Sequence, residues 1–146
     1  MKRIKFIILA VVLLLNFSIY SQTEMPKAML GFACGGAGSS TKSVSKVYNY
    51  ISEKKYGKVL KLLSSKNTAE KFLAIVMCEK LAEMKKLELN QKDSEIIKKA
   101  YDSDELIYYC GGCTFTGNLK MSVLLKAKED MEHVREEAEE YFKDIL

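Results

Sequence analysis

Tryptophan is absent from this chain, and proline and histidine occur once each in its 146 residues. The one proline, Pro26, lies ahead of the body of the chain, so no ring-locked backbone bars a helix after it. The one histidine, His133, has no neighbourhood of serine and aspartate defined by sequence, so no Ser/His/Asp set can be named. A long apolar span is also missing. The core run, Phe6–Leu15, falls short of the roughly 17–20 residues that cross a bilayer. No catalytic residue, metal or cofactor is expected on these grounds.

What stands in place of a membrane span is a leader. Met1, Lys2, Arg3 and Lys5 make a cationic start, Phe6–Leu15 is unbroken apolar sequence, and Asn16–Ser21 turns polar with a small residue at its end. This layout predicts a secretory signal peptide over residues 1–21, cleaved after Ser21 to leave a mature chain beginning at Gln22. An exported protein, periplasmic or extracellular, is the expectation, membrane-tethered only if the leader is retained. Residues 22–42 read as a flexible N-terminal segment that carries Cys34 and the Gly/Ser stretch Gly35–Ser40.

Lys2, Arg3 and Lys5 supply three of the four net positive charges, so the mature protein sits near +1 and nucleic acid is not an expected partner. The remaining charge is uneven. Lys42–Ala100 holds fourteen lysines against seven acids, and Lys126–Leu146 holds eight acids against four basic residues. The acidic C-terminal stretch is expected to lie on the basic body, the charged faces otherwise being solvated.

After Ser43 the composition is helix-forming. Val44, Val47, Tyr48 and Ile51 make one apolar stripe, and Tyr56, Val59, Leu60 and Leu63 make a second. Asn67 followed by Glu70 is a capping-box-like start for a helix over about Thr68–Leu87, apolar around more than half its circumference and expected to be central. Asn90 can cap a further helix ending at Asp102-Ser103-Asp104. Leu106–Tyr109 is β-prone, but a strand there would lack a partner of matching length. From about Asn118 to Leu146 the residues Leu124, Ala127, Met131, Val134, Ala138, Tyr141 and Ile145 form a heptad seam, read as one long amphipathic helix that docks on the body or pairs in a homodimer through residues 124–145.

These helices are expected to pair as short antiparallel hairpins, 43–55 with 56–64 and 68–87 with 91–102. The stretch Tyr56–Asn90, with LLSSKNTAEKFLAIVMCEKLAEMKK at its centre, resembles a HEAT-like helical hairpin. Over Val44–Thr114 the chain is similar to small exported helical proteins of Gram-negative bacteria that carry a cysteine–glycine segment after their helices. The resemblance implies an interaction scaffold with no catalytic residues. The fold expected is therefore all-α: one helical domain over 43–146, HEAT-like and irregular, with a Cys-Gly-Gly-Cys loop at 110–117.

Four cysteines allow three fully paired connectivities in an oxidising compartment. Cys78 falls inside the buried helix and reads as a thiol packed as a small hydrophobe. Cys34, Cys110 and Cys113 sit beside glycines, where bridge geometry is attainable, and are the disulfide candidates. Tying Cys34 to the 110–113 loop would pin the N-terminal segment across the domain, and a Cys110–Cys113 pair is the alternative. Two chemical readings compete. A redox CxxC wants its first cysteine at a helix N-terminus, where the dipole lowers the thiol pKa. Zinc held by Cys34, Cys78, Cys110 and Cys113, or with His133 replacing one, wants two close ligand pairs where this chain has one. Gly36–Ser43 is one residue away from a phosphate loop, with Thr41 in a glycine position and no apolar strand leading in. The function expected is a non-enzymatic binding or structural module of the cell envelope or secreted fraction. The alternatives are a thiol–disulfide or zinc protein using Cys110 and Cys113, and a small periplasmic inhibitor of the immunity type. A protein partner of unknown identity is implied.

Overall fold

Residues 67–83 build the element around which the rest is arranged. Asn67 Oδ1 accepts the N–H groups of Ala69 and Glu70 at 3.0 and 3.2 Å, which starts the helix Thr68–Glu83. The return arm of the capping box runs through a neighbour. The Asn67 N–H donates to Ser65 Oγ, and the Ser65 hydroxyl donates to the Glu70 carboxylate, which Lys46 also grips at 2.9 Å.

The computed structural model of the chain describes residues 28–112, 115–126 and 132–146. In chain order its elements are β1 (Met29–Leu30), α1 (Lys42–Ser52), α2 (Tyr56–Leu62), α3 (Thr68–Glu83), α4 (Gln91–Ala100), β2 (Leu106–Gly111), β3 (Phe115–Lys120), α5 (Met121–Lys126), α6 (Glu132–Phe142) and a closing 3₁₀ turn, Lys143–Ile145. Helix α3 packs against α1, α2, α5, α6 and both β1 and β2. Phe72, Leu73, Ala74, Ile75, Val76, Met77 and Cys78 are seven consecutive residues with no exposed surface, as a helix surrounded on all sides requires. Among the described residues, no helix is long and apolar enough to cross a membrane.

The all-α expectation is overturned. A three-stranded sheet of order β1-β2-β3 forms, with β2 pairing β1 in parallel and β3 antiparallel. The partner of matching length that Leu106–Tyr109 needed is Phe115–Lys120, in register from Leu106↔Lys120 to Gly111↔Phe115. Its middle residues, Gly117 and Asn118, are poor strand formers, and Asn118 instead resembles a helix cap. Propensity therefore gives way to pairing. The central strand β2 is apolar on both faces: Ile107 and Tyr109 enter the main core, while Tyr108 and Cys110 face a smaller cluster with Met29 and Cys34. That two-sided burial turns the alternation of a strand into a short undivided apolar run.

The single long C-terminal helix is corrected as well. Residues 118–120 belong to β3, and the helical stretches that follow, α5 and α6, pack against each other. Arg135 Nη1 reaches the Leu125 carbonyl at 3.3 Å, ten residues back, which a straight helix rising 1.5 Å per residue would forbid. Leu124, Val134 and Ala138 of the heptad seam are buried in the chain's own core. Ala127 and Met131 lie outside the described residues, as do Cys113 and the expected signal peptide over residues 1–21. The expected second hairpin is looser than a HEAT-like pair: α4 packs against α5, and it meets α3 through the shared core at Ile97 and Ala100 and the Tyr101–Glu79 hydrogen bond.

Helices α1 and α3 end alike. Lys54 and Lys85 adopt left-handed φ of 55° and 57°, the position where helices usually place glycine. The Lys54 and Lys55 amides return to Ile51 and Tyr50 carbonyls, and those of Lys85 and Lys86 to Ala82 and Leu81, a Schellman pattern in both cases.

Candidate functional site

The parallel pairing of β1 with β2, Met29↔Tyr108 and Leu30↔Tyr109, carries the next N-terminal residues along the outer face of the sheet. There Cys34 and Cys110 come to disulfide distance, with Cα atoms 5.8 Å apart at a sequence separation of 76. Both are almost wholly buried, 3% and 5% exposed, beneath Met29 and Tyr108. Gly31 makes the approach possible. A Cβ there would collide with Cys34 Sγ and stand 2.7 Å from the Cys110 carbonyl oxygen.

The glycine-rich segment closes on itself beside this pair. The Cys34 amide donates to the Ser39 carbonyl at 2.8 Å and the Ser39 amide returns to Cys34 at 3.1 Å. Gly38 donates to Gly35, Gly35 to Gly112, and Thr41 to Gly31. The Gly38, Ser39 and Thr41 amides, which a phosphate loop could aim at an anion, are thus spent on carbonyls. A strand does lead into the segment, contrary to expectation, but it is the two-residue β1.

The sequence-expected residues separate into two places. Cys34 and Cys110 meet on the outer sheet face. Cys78 is a free thiol in α3, inside the main core, and burial pushes its pKa up to about 12, with Asp93 and Glu79 adding to the rise. Cys110 lies near the end of a strand that is followed, from Phe115, by another strand, so among the described residues no helix begins after it to lower a thiol pKa. Among the described residues no group of three His, Cys, Asp or Glu side chains converges on a point. His133 packs edge-on to the Tyr109 ring at 6.5 Å.

Three features had no clear mark in the sequence. Tyr109 donates its hydroxyl to Glu137 at 2.9 Å, and burial, reinforced by the Glu137 charge, raises its pKa. Arg135 of α6 gathers a network. Its guanidinium donates to Glu79 at 2.9 Å, to the Tyr101 hydroxyl at 2.6 Å and to Glu139 at 3.2 Å, while Tyr101 donates onward to Glu79 at 3.0 Å. Burial works against the Arg135 charge, but its bonds to Tyr101 and Glu79 outweigh that cost and hold the proton tightly. Lys80 adds a bond to Glu139 at 3.3 Å, so the acidic helix meets the basic body through one lysine and one reversed pair. The third feature is a cleft of about 170 Å³ between the end of α2, α3 and α4, floored by Leu63, Ile96 and Ala100.

Fold and site together show a mixed α/β domain whose N-terminal segment is clasped to its central strand, and the chain matches no protein-family model, no curated protein and no solved structure.

Proposed function

We propose that this chain is an exported, non-enzymatic binding module of the cell envelope or secreted fraction, held in shape by a Cys34–Cys110 bridge. The observation that carries the reading is Gly31. The backbone gives up a side chain where Cys34 Sγ and the Cys110 backbone both come close, and this lets the two cysteines reach disulfide distance. A buried bridge belongs to an oxidising compartment, and the leader-like residues 1–21 supply the route to one. The four-fold convergence at Arg135 reads as a strut between α3, α4 and α6, because every polar atom named there is engaged by another side chain or a carbonyl.

Fractionation followed by non-reducing mass spectrometry tests this. The expected result is protein in the periplasm or medium, beginning near Gln22, with a Cys34–Cys110 peptide pair. Cytosolic protein that retains Met1 and carries four free thiols would overturn it.

A further inference from the structure

The cleft between α2, α3 and α4 has the anatomy of a small binding site. Its floor is apolar: Leu63 and Ala100 are buried and Ile96 is half-buried. Its rim carries two ammonium groups and one carboxylate. Lys71 Nζ bonds both oxygens of Glu105, at 2.8 and 2.7 Å, and is thereby fixed in place. Ser103 sets the position of that carboxylate's backbone by accepting the Glu105 amide at 3.1 Å. Lys99, in the last turn of α4, has no partner among the described residues. The rim is therefore one positive charge in excess, beside a floor that water covers at a cost.

We propose that this cleft binds a small monocarboxylate with a short branched apolar tail, the carboxylate at Lys99 and Lys71 and the tail on Leu63, Ile96 and Ala100. Size limits the ligand. About 170 Å³ lies below the roughly 300–1,000 Å³ of sites for drug-sized molecules, so only a handful of heavy atoms fit. Charge selects the head group, since a neutral amide would leave Lys99 without an anion, and the floor selects the tail. The inference goes beyond the proposed function and does not rest on export or on the bridge.

Amide-resolved NMR titration with 3-methylbutanoate tests it, with 3-methylbutanamide and acetate as controls. Shifts are expected at Ile96, Lys99, Ala100, Ser103 and Glu105, with a dissociation constant on the order of 1 mM for so few contacting atoms. Both controls should bind about 10-fold or more weakly, since each lacks one of the two contacts. Lys99→Gln, an exposed substitution with no bond to lose, should weaken 3-methylbutanoate by about 10-fold without moving the melting temperature. Equal binding of acetate would reduce the site to surface lysines attracting an anion and would overturn the proposal. Equal binding of the amide, an unchanged affinity in Lys99→Gln, or no shift at roughly 50 mM would also overturn it.

Discussion

Removing the clasp gives the sharpest test of how this fold is stabilised. A bridge between Cys34 and Cys110 closes a loop across 76 residues of sequence. In the chain-entropy account, a loop of that length stabilises the native state by about 4.5 kcal/mol, acting on the unfolded chain. For a domain of this size that corresponds to a melting shift of roughly 15–20 °C. Urea unfolding monitored by far-ultraviolet circular dichroism, with and without reductant, measures it directly. The midpoint should fall by that free energy. The denaturant slope should rise, because the unlinked unfolded chain exposes more surface. The double variant Cys34→Ala, Cys110→Ala should match the reduced protein and gain nothing further from reductant. A stability loss below about 1 kcal/mol would refute the reasoning. So would an additional effect of reductant on the double variant, which would place the stabilising bond at another pair.

Three further outcomes follow from local geometry. Gly31→Ala should cost about 1–3 kcal/mol in urea unfolding and lower the fraction of bridged molecules, since one of the atoms it meets is a backbone carbonyl with no room to move. Lys54→Gly and Lys85→Gly should each raise stability by about 0.5–1 kcal/mol, because both lysines hold left-handed backbone that glycine adopts without strain; a loss of stability in both would contradict the assignment. Cys78 should resist Ellman's reagent in the native state and react only on unfolding. Its neutral form is the one buried, so the unfolded chain gives up this proton first, and native stability should decline as the pH rises from about 9 towards 12. Rapid labelling of Cys78 in folded protein at neutral pH would count against its burial.

The helical half of this fold is legible because its signals are local. Asn67 and Asn90 announce starts, and the apolar density of residues 68–83 announces a buried centre. Where helices stop is less legible, since lysine occupies the place of glycine at residues 54 and 85; α3 reads on to Leu87 in sequence but ends at Glu83. The sheet is hidden for a different reason. Its central strand is apolar on both faces, its antiparallel partner contains Gly117 and Asn118, and its parallel partner is two residues long and remote in sequence. The three-four spacing from Leu124 to Ile145 is real, but among the described residues it falls on α5, α6 and the closing turn, with Leu124, Val134 and Ala138 buried in the same core. The nearness of Cys34 to Cys110 follows from β1 joining β2, so no count of cysteines could reveal it. The cleft is illegible too, because Lys71 and Lys99 come from two helices and Glu105 from the segment before β2, and each alone reads as a solvated charge.

The position of β1 also sets an order of assembly. A ribosome releases residues 28–41 early, yet their hydrogen-bonding edge and their sulfur partner lie on β2. This early segment therefore cannot dock until β2 has been made, and its docking closes the long loop from Cys34 to Cys110. Until then Cys34 is an unprotected thiol on an undocked strand, open to the wrong partner. The cost of this topology falls on the nascent chain, in the interval between the emergence of Cys34 and that of Cys110.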